Sequence, residues 1–332
     1  MQYCGIDVAN KASAVCISDQ RGKIVLEREC PTFGGLETIL QGRAPMRCVV
    51  EASPLAETIV GMAERLGHQV VIIEPRRAKG VICSKKKTDR LDARNLCKMA
   101  RTEWYTAVHR KSARARLTRT ALQARRGMVE TARQENSRIR GLLRSHGLVV
   151  GKVSAGNFAC RVRDLTADKP ELAALLEPLL RIHEMLRAEI RKAGRALVSS
   201  AKADSTCQLL MTTPGVGPMV AAAFVATIDD PHRFGRRRDV PAYLGLAPRI
   251  HQSGEVEFRG RITKEGDHLL RWHLVEAATV LMTRTKKSSR LKRWGLELAR
   301  KKGMGKARVA VARKLAMVLH RLWVTGEEFA AA

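Results

Sequence analysis

The stretch KKKTDRLDARNL, residues 85–96, sets Lys85, Lys86 and Lys87 directly before Asp89 and Asp92, two carboxylates spaced i, i+3. On a helix beginning near Thr88 that spacing places both aspartates on one face. Two further carboxylates hold special places. Asp7 sits inside the apolar run CGIDVA, and Glu51 ends the apolar run RCVVEAS. Charge among apolar neighbours is expensive without a partner. Four carboxylates massed together repel one another unless a cation fills the gap. Hard divalent ions take oxygen ligands, and Mg²⁺ is held by few carboxylates together with waters and substrate phosphates; Mn²⁺ suits the same donors. Two such ions about 4 Å apart clamp the attacking and leaving oxygens of a phosphoryl transfer. Taken singly, each acid has a plainer explanation. Asp89 complements a helix dipole, Glu51 is a strand-end surface residue, and Asp7 partners Lys11. The chain order of strand aspartate, later strand glutamate and helical DxxD argues for a joint site of Asp7, Glu51, Asp89 and Asp92.

Those residues need elements to position them. QYCGIDVA, SAVCISD and GKIVLERE read as three closely spaced strands, with a turn at Arg21-Gly22 between the last two. A helical stretch follows over about 33–42. RCVVEAS and QVVIIEP are near-continuous apolar runs, the pattern of buried parallel strands. Between them PLAETIVGMAERLG reads as a helix with Pro54 in its first turn and Gly67 at its end. Three antiparallel strands followed by a βαβ unit make a mixed sheet over residues 1–106. In such a unit ligands gather at the carboxyl ends of the parallel strands, where Glu51 lies.

Charge identifies the partner class. Lys plus Arg number 61 against 32 acids, a formal net charge of +29, which costs self-repulsion unless a polyanion neutralises it. Nucleic acid is the first candidate and an anionic membrane surface the second. Aromatic residues make up only 4%, which argues against base stacking on many platforms as the main binding mode. No run of about 18 apolar residues appears, which argues against a spanning helix. MQYCGIDVAN reads as a strand and lacks the layout of a signal peptide. The eight cysteines include no CxxC pair and several sit in apolar runs, so they read as buried thiols of a reducing compartment. The cytoplasm follows.

Residues 107–200 change character. Between 110 and 146 there are eleven Lys/Arg and two acids in a proline-free helical stretch, and PELAALLEPLLRIHEMLRAEIRKAGRALVSSA carries leucines at helical spacing. This pair reads as a helical hairpin or coiled coil suited to dimerisation, or as an ordinary helical bundle. From 201 onward, LLMTTPGVGPMVAAAFVATI has the helix, PGVG turn and helix of a helix-hairpin-helix, which points backbone N–H groups at a phosphate. Residues 284–321 pack fourteen Lys/Arg against the single acid Glu297, a balance suited to phosphate contact.

GID on the first strand, VVEAS, and KTDRLDARNL resemble the DEDD transposases of bacterial insertion sequences, in the one-ten and eleven-eleven families, with the related Piv-type DNA invertases. The resemblance extends to PGVG, AYLGLAPR, QSG, GRITKEGD and LR in the C-terminal half. It implies an α/β RuvC-like domain of the ribonuclease H superfamily at 1–106, ahead of the helical region at 107–200. A mostly α transposase domain at 201–332 would follow. It gives Asp7, Glu51, Asp89 and Asp92 the metal-binding roles, with two Mg²⁺ or Mn²⁺ ions. It also makes Ser253, in IHQSGEVEFRG, the nucleophile that forms a covalent phosphoserine with DNA. On its own chemistry Ser253 is unremarkable, since Ser-Gly is a common turn and no His/Asp relay is readable beside it, although His251 is two residues away. Arg249, Arg259, Arg261 and Lys264 flank it as phosphate ligands or as solvated charges, and Lys85, Lys86 and Lys87 would reach the nucleic-acid backbone. Two local departures stand out. EASPLAE replaces the family's EATG-like step, and Lys11 lies one residue beyond the usual lysine position.

The expectation is therefore a cytoplasmic, nucleoid-associated transposase or recombinase acting on donor and target DNA. It would work as a homo-oligomer, with a composite site formed across subunits and a structured guide (bridge) RNA supplying sequence by pairing. Two other readings stay open: a junction-resolving metal nuclease that forms no serine adduct, and a nonenzymatic nucleic-acid-binding protein.

Overall fold

The computed structural model describes residues 1–74, 88–253 and 256–330, with backbone alone for 250–253 and 256–259. Lys85, Lys86 and Lys87 lie outside the described residues. The chain divides into two compact units, Met1–Lys111 and Ser112–Ala332.

The first unit runs β1 (Tyr3–Asp7), β2 (Ala12–Ser18), β3 (Ile24–Pro31), α1 (Gly35–Leu40), β4 (Arg47–Glu51), α2 (Ala56–Arg65), β5 (Gln69–Ile73) and α3 (Asp89–Thr102). Its sheet has the order β3-β2-β1-β4-β5. The β1–β2 and β2–β3 pairs are antiparallel, whereas β1–β4 and β4–β5 are parallel. This is the mixed sheet that the strand pattern predicts. Continuous apolar runs form the centre because both faces there are covered. Ile6, Val15, Val50 and Ile59 pack on the α1/α2 side, and Val49, Ile73, Leu96 and Met99 on the α3 side. Cys4, Cys16, Cys48 and Cys97 are buried free thiols in these layers, as expected, whereas Cys160 in the second unit is exposed. The helix expected from Pro54 begins instead at Ala56. The Ala56 N–H donates to the Ser53 carbonyl at 3.2 Å, so Pro54 occupies a turn ahead of the helix.

The second unit contains α4 (Ala113–Ser145), α5 (Phe158–Leu165), α6 (Pro170–Ala203), α7 (Ser205–Met211), α8 (Pro218–Ile228), α9 (Asp239–Tyr243), β6 (Pro248–Ser253), β7 (Val256–Ile262), α10 (His268–Thr283), α11 (Arg290–Lys302) and α12 (Met304–Thr325). The long helices α4 and α6 pack on each other. At one end α5 closes the pair, burying Phe158 among Ile139, Leu143, Leu176 and Leu180. The main core joins α8, α10 and α12 through Phe224, Leu274 and Leu315. The β6–β7 hairpin is the strand element within a region expected to be mostly α, and the sequence reading did not assign it. Among the described residues, no helix is long and apolar enough to cross a membrane.

Candidate active site

In the first unit the parallel register aligns Ile6 with Val50. Asp7 and Glu51, the next residues along, therefore end neighbouring strands, and both are half-buried. α3 supplies the other two carboxylates, and its placement follows from one glycine. A Cβ on Gly5 would lie 2.2 Å from both the Ala93 carbonyl oxygen and the Cys97 amide nitrogen, so α3 sits directly on β1. The Cys97 Sγ lies 3.2 Å from the Tyr3 carbonyl oxygen and 3.2 Å from the Ser18 hydroxyl oxygen. With Cys97 over Tyr3 and Ala93 over Gly5, α3 runs antiparallel to β1. From Ala93 back to Asp89 is about 6 Å of helix, and from Gly5 on to Asp7 is about 7 Å of strand. The DxxD turn thus arrives at the strand end that carries Asp7.

The helix start is well defined. The Thr88 hydroxyl caps it by accepting from the Leu91 N–H at 3.3 Å, and the helix starts where the sequence places it. The arginines interleaved with the aspartates pair with β3 instead. Arg94 donates to Glu27 at 2.6 Å and Arg90 to Glu29 at 3.2 Å. The Arg94 guanidinium beside Glu27 holds its carboxyl below the usual carboxylate range. Asp89, exposed, and Asp92, half-buried, are in no ion pair among the described residues. Arg90 and Arg94 are thus committed to β3 and not to the aspartates beside them. Beneath α3 the Cys16 and Cys97 thiols meet, and the hydrogen bond from Cys16 brings Cys97 down to about 7.

The donor set at this sheet end is all oxygen, which fits a hard divalent cation better than a thiophilic one. Among the described residues, no three His, Cys, Asp or Glu side chains are already gathered around one point. The structure brings Asp7, Glu51 and the DxxD turn to one end of the sheet without closing them into a finished cage.

In the second unit Ser253 is the last residue of β6 and pairs with Val256, at the tip of the hairpin. Arg259 stands opposite Ile250 on the same ladder. The remaining basic residues lie toward the root. Arg249 falls at the register shift between Pro248 and Ile250, and it donates to the Thr263 carbonyl at 3.3 Å. Lys264 has a φ of 60° and closes the root with its N–H on the Gly245 carbonyl at 3.1 Å. Arg249, Arg261 and Lys264 are all exposed. Five residues of strand, about 17 Å, separate the root at Pro248 from Ser253.

The hairpin root is held by residues that lie in quoted motifs but to which sequence reasoning gave no individual role. Arg271, on α10 and 8% exposed, donates to the Leu244 carbonyl at 3.0 Å and to the Glu265 carbonyl at 2.6 Å, one on each side of the hairpin. A Cβ on Gly245 would lie 1.9 Å from the Glu265 oxygen, and one on Gly266 would lie 2.1 Å from the Tyr243 oxygen. Asp267 caps α10 by accepting from the Leu270 N–H at 2.6 Å and pairs with Arg119 at the same distance. The Gly-Asp step before an apolar helix signals such a cap. Arg271 is the arginine of the quoted LR step, but nothing local shows that it reaches two carbonyls. The PGVG turn joins α7 to α8, and Gly215, with φ 88°, packs against the backbone of α10 at Ala277.

Comparison with known proteins places the chain in a family. Residues 4–147, from β1 to the end of α4, match the DEDD transposase family model, described as "Transposase". Residues 207–293 match the model described as "Transposase IS116/IS110/IS902 family", a segment that contains the Ser253 hairpin and Arg271. A DEDD transposase domain followed in chain order by this second domain is the class the two matches define, and the first implies a RuvC-like fold for the mixed sheet. Among relatives, the transposase for insertion sequence element IS1111A of Coxiella burnetii is 28% identical, over 99% of this chain and 91% of that protein. The putative transposase y4pF/y4sB of Sinorhizobium fredii is 30% identical over 79% of this chain and 69% of that protein. The probable family 20 transposase of Pseudomonas aeruginosa is 26% identical over 96% and 95%. The chain belongs to the IS116/IS110/IS902 family of transposases.

Proposed function

We propose that this chain cuts and rejoins DNA to move an insertion sequence, using Asp7, Glu51, Asp89 and Asp92 to hold divalent metal and Ser253 as nucleophile. The observation that carries the reading is the antiparallel placement of α3 on β1, which brings the DxxD turn to the strand ends of Asp7 and Glu51. When bound, two Mg²⁺ or Mn²⁺ ions would neutralise charge on the scissile phosphate and orient it. The Ser253 hydroxyl attacks phosphorus, a P–O bond to serine forms, and the displaced strand oxygen leaves with a proton. The phosphoserine ester keeps the energy of the phosphodiester, so another strand's hydroxyl reseals it by the reverse exchange and no nucleotide cofactor is consumed.

Sequence choice is assigned to a structured guide RNA paired with donor and target, which suits a chain with dispersed arginines and few aromatic residues. The division into a catalytic segment 1–106, a helical segment 107–200 and a serine-bearing segment 201–332 belongs to the same proposal. So does homo-oligomerisation. Leu175, Ile182 and Met185 are exposed along α6 at intervals of seven and three residues, the seam a second helix would cover.

The test is a labelled DNA carrying an element end, incubated with the full chain, co-purified RNA and Mg²⁺, then resolved under denaturing conditions. A DNA–protein adduct is expected, lost in Ser253→Ala and in Asp7→Ala, and absent with a chelator. Cutting by Ser253→Ala without any adduct would overturn the serine step in favour of a metal nuclease. Activity intact in Asp7→Ala would overturn the metal site. Sequencing the co-purified RNA tests the guide: one defined species is expected, and bulk random RNA refutes it.

A further inference from the structure

The basic segment that closes the chain builds a cavity. Between the start of α11 and the second half of α12 lies a concavity of about 600 Å³, walled by Arg237, Arg290, Trp294, Lys314, Arg321 and Phe329 over an aliphatic floor. Phe329 is fixed there by its backbone, whose N–H donates to the Thr212 hydroxyl at 3.1 Å. Four cations therefore converge on one apolar-floored pocket. Among the described residues, none of the four is in an ion pair.

Such a cluster repels itself. Lys314 shows the strain: burial, and then the neighbouring Arg290, pull its ammonium below its ordinary value. Its Nζ lies 3.5 Å from the centre of the Trp294 ring, a cation–π contact on the ring face. A bare phosphate would satisfy the charge but would leave the aromatic and aliphatic surface without a purpose. A flat, apolar group carrying negative charge satisfies both. The volume falls within the range of about 300–1,000 Å³ typical of small-ligand sites, enough for one nucleotide and far too little for a duplex. A base inside a duplex stack cannot enter a concave pocket, so the guest must be unstacked.

We propose that this cavity binds a single unstacked nucleotide of a DNA or RNA strand. Its base lies against Trp294 and Phe329, and its phosphates are held by Arg237, Arg290 and Arg321, with Lys314 moving from the ring to the backbone. The choice of ligand rests on the nucleic-acid reading above, but the site involves neither the carboxylates nor Ser253.

The experiment uses the full chain in metal-free buffer, so that no strand is cut. Single strands of eight thymidines or eight uridines, each with one central photoreactive thio-base, are cross-linked and the attached peptides are sequenced. Cross-links on the peptides bearing Trp294 or Phe329 are expected, and the DNA and RNA arms report which strand type enters. In parallel, binding of the same DNA strand is compared with that of a base-free phosphodiester of equal length. Trp294→Ala is expected to reduce the preference for bases about fivefold or more, whereas Trp294→Phe retains most of it and controls for folding. Cross-links confined to other peptides, or an unchanged preference in Trp294→Ala, would overturn the proposal. So would displacement by an acidic phenylalanine-containing hexapeptide with no nucleotide cross-link, which would assign the cavity to a protein partner. The serine adduct assay requires metal and this one excludes it, so either reading can fail without the other.

Discussion

Arg271→Met removes the clamp at the root of the serine hairpin and nothing else of similar size. The guanidinium makes two charge-assisted hydrogen bonds to backbone carbonyls, one inside the protein and one partly shielded. Hydrogen bonds to a charged group contribute about 1.5–3 kcal/mol each, but the buried charge itself carries a desolvation cost that Met does not. Burial indeed pulls the Arg271 guanidinium below its ordinary value. A net loss of about 3 kcal/mol is therefore expected, and in a unit of this size that lowers the melting temperature by roughly 6–12 °C. Arg271→Lys offers a point charge that reaches one carbonyl well, so about half the loss is expected. Urea and thermal unfolding of the full chain give the energy. Amide exchange gives the location, since the Thr263 and Lys264 N–H groups bond across the root to Ala247 and Gly245 and should exchange faster in the variant. A stability within about 0.5 kcal/mol of the parent, together with unchanged exchange at Thr263 and Lys264, would show that the glycine contacts hold the hairpin without the arginine.

Three further outcomes follow from the geometry. Gly5→Ala drives a methyl group into the α3 backbone, so a loss of about 3 kcal/mol and failure of metal-dependent adduct formation are expected, measured by urea unfolding and by the adduct assay. His273, 7% exposed, is held neutral by burial first and then by Arg126 and Arg125, which together bring it down to about 4. Its folded value lies below the unfolded value, near 6.5, so the unfolded chain binds the extra proton and the stability is lost as pH falls through that window. About 2 kcal/mol is expected to disappear between pH 7 and pH 5, and His273→Gln should flatten that part of the urea midpoint profile. Ile182→Lys places a charge in the exposed α6 seam, and sedimentation should show weaker self-association with little change in monomer stability.

Legibility followed the range of the interactions. The five strands of the first unit were readable because burial on both faces writes itself as continuous apolar runs, and the start of α3 near Thr88 was readable because helix starts are set locally. Asp7 and Glu51 could be placed at strand ends for the same reason. What brings the DxxD turn to them was not readable, because Gly5 looks like any strand glycine until α3 lies 2.2 Å from its missing Cβ. The second unit was harder. Its helices follow from composition, yet β6 and β7 are short and flank a Ser-Gly step that reads equally well as a loop.

The same reasoning separates two kinds of basic residue that composition treats alike. Arg90, Arg94, Arg119 and Arg271 are committed to carboxylates or carbonyls of the fold, and reversing any of them should change stability first. Arg237, Arg290, Lys314 and Arg321 converge on a cavity without carboxylate partners among the described residues, and like charges placed together oppose one another. Neutralising Arg290 should therefore leave the fold as stable as before, or more so, while weakening the salt-dependent grip on a single strand. An excess of +29 is not one property but two: part of it is structural, and the part that opposes folding is where a polyanion is expected to bind.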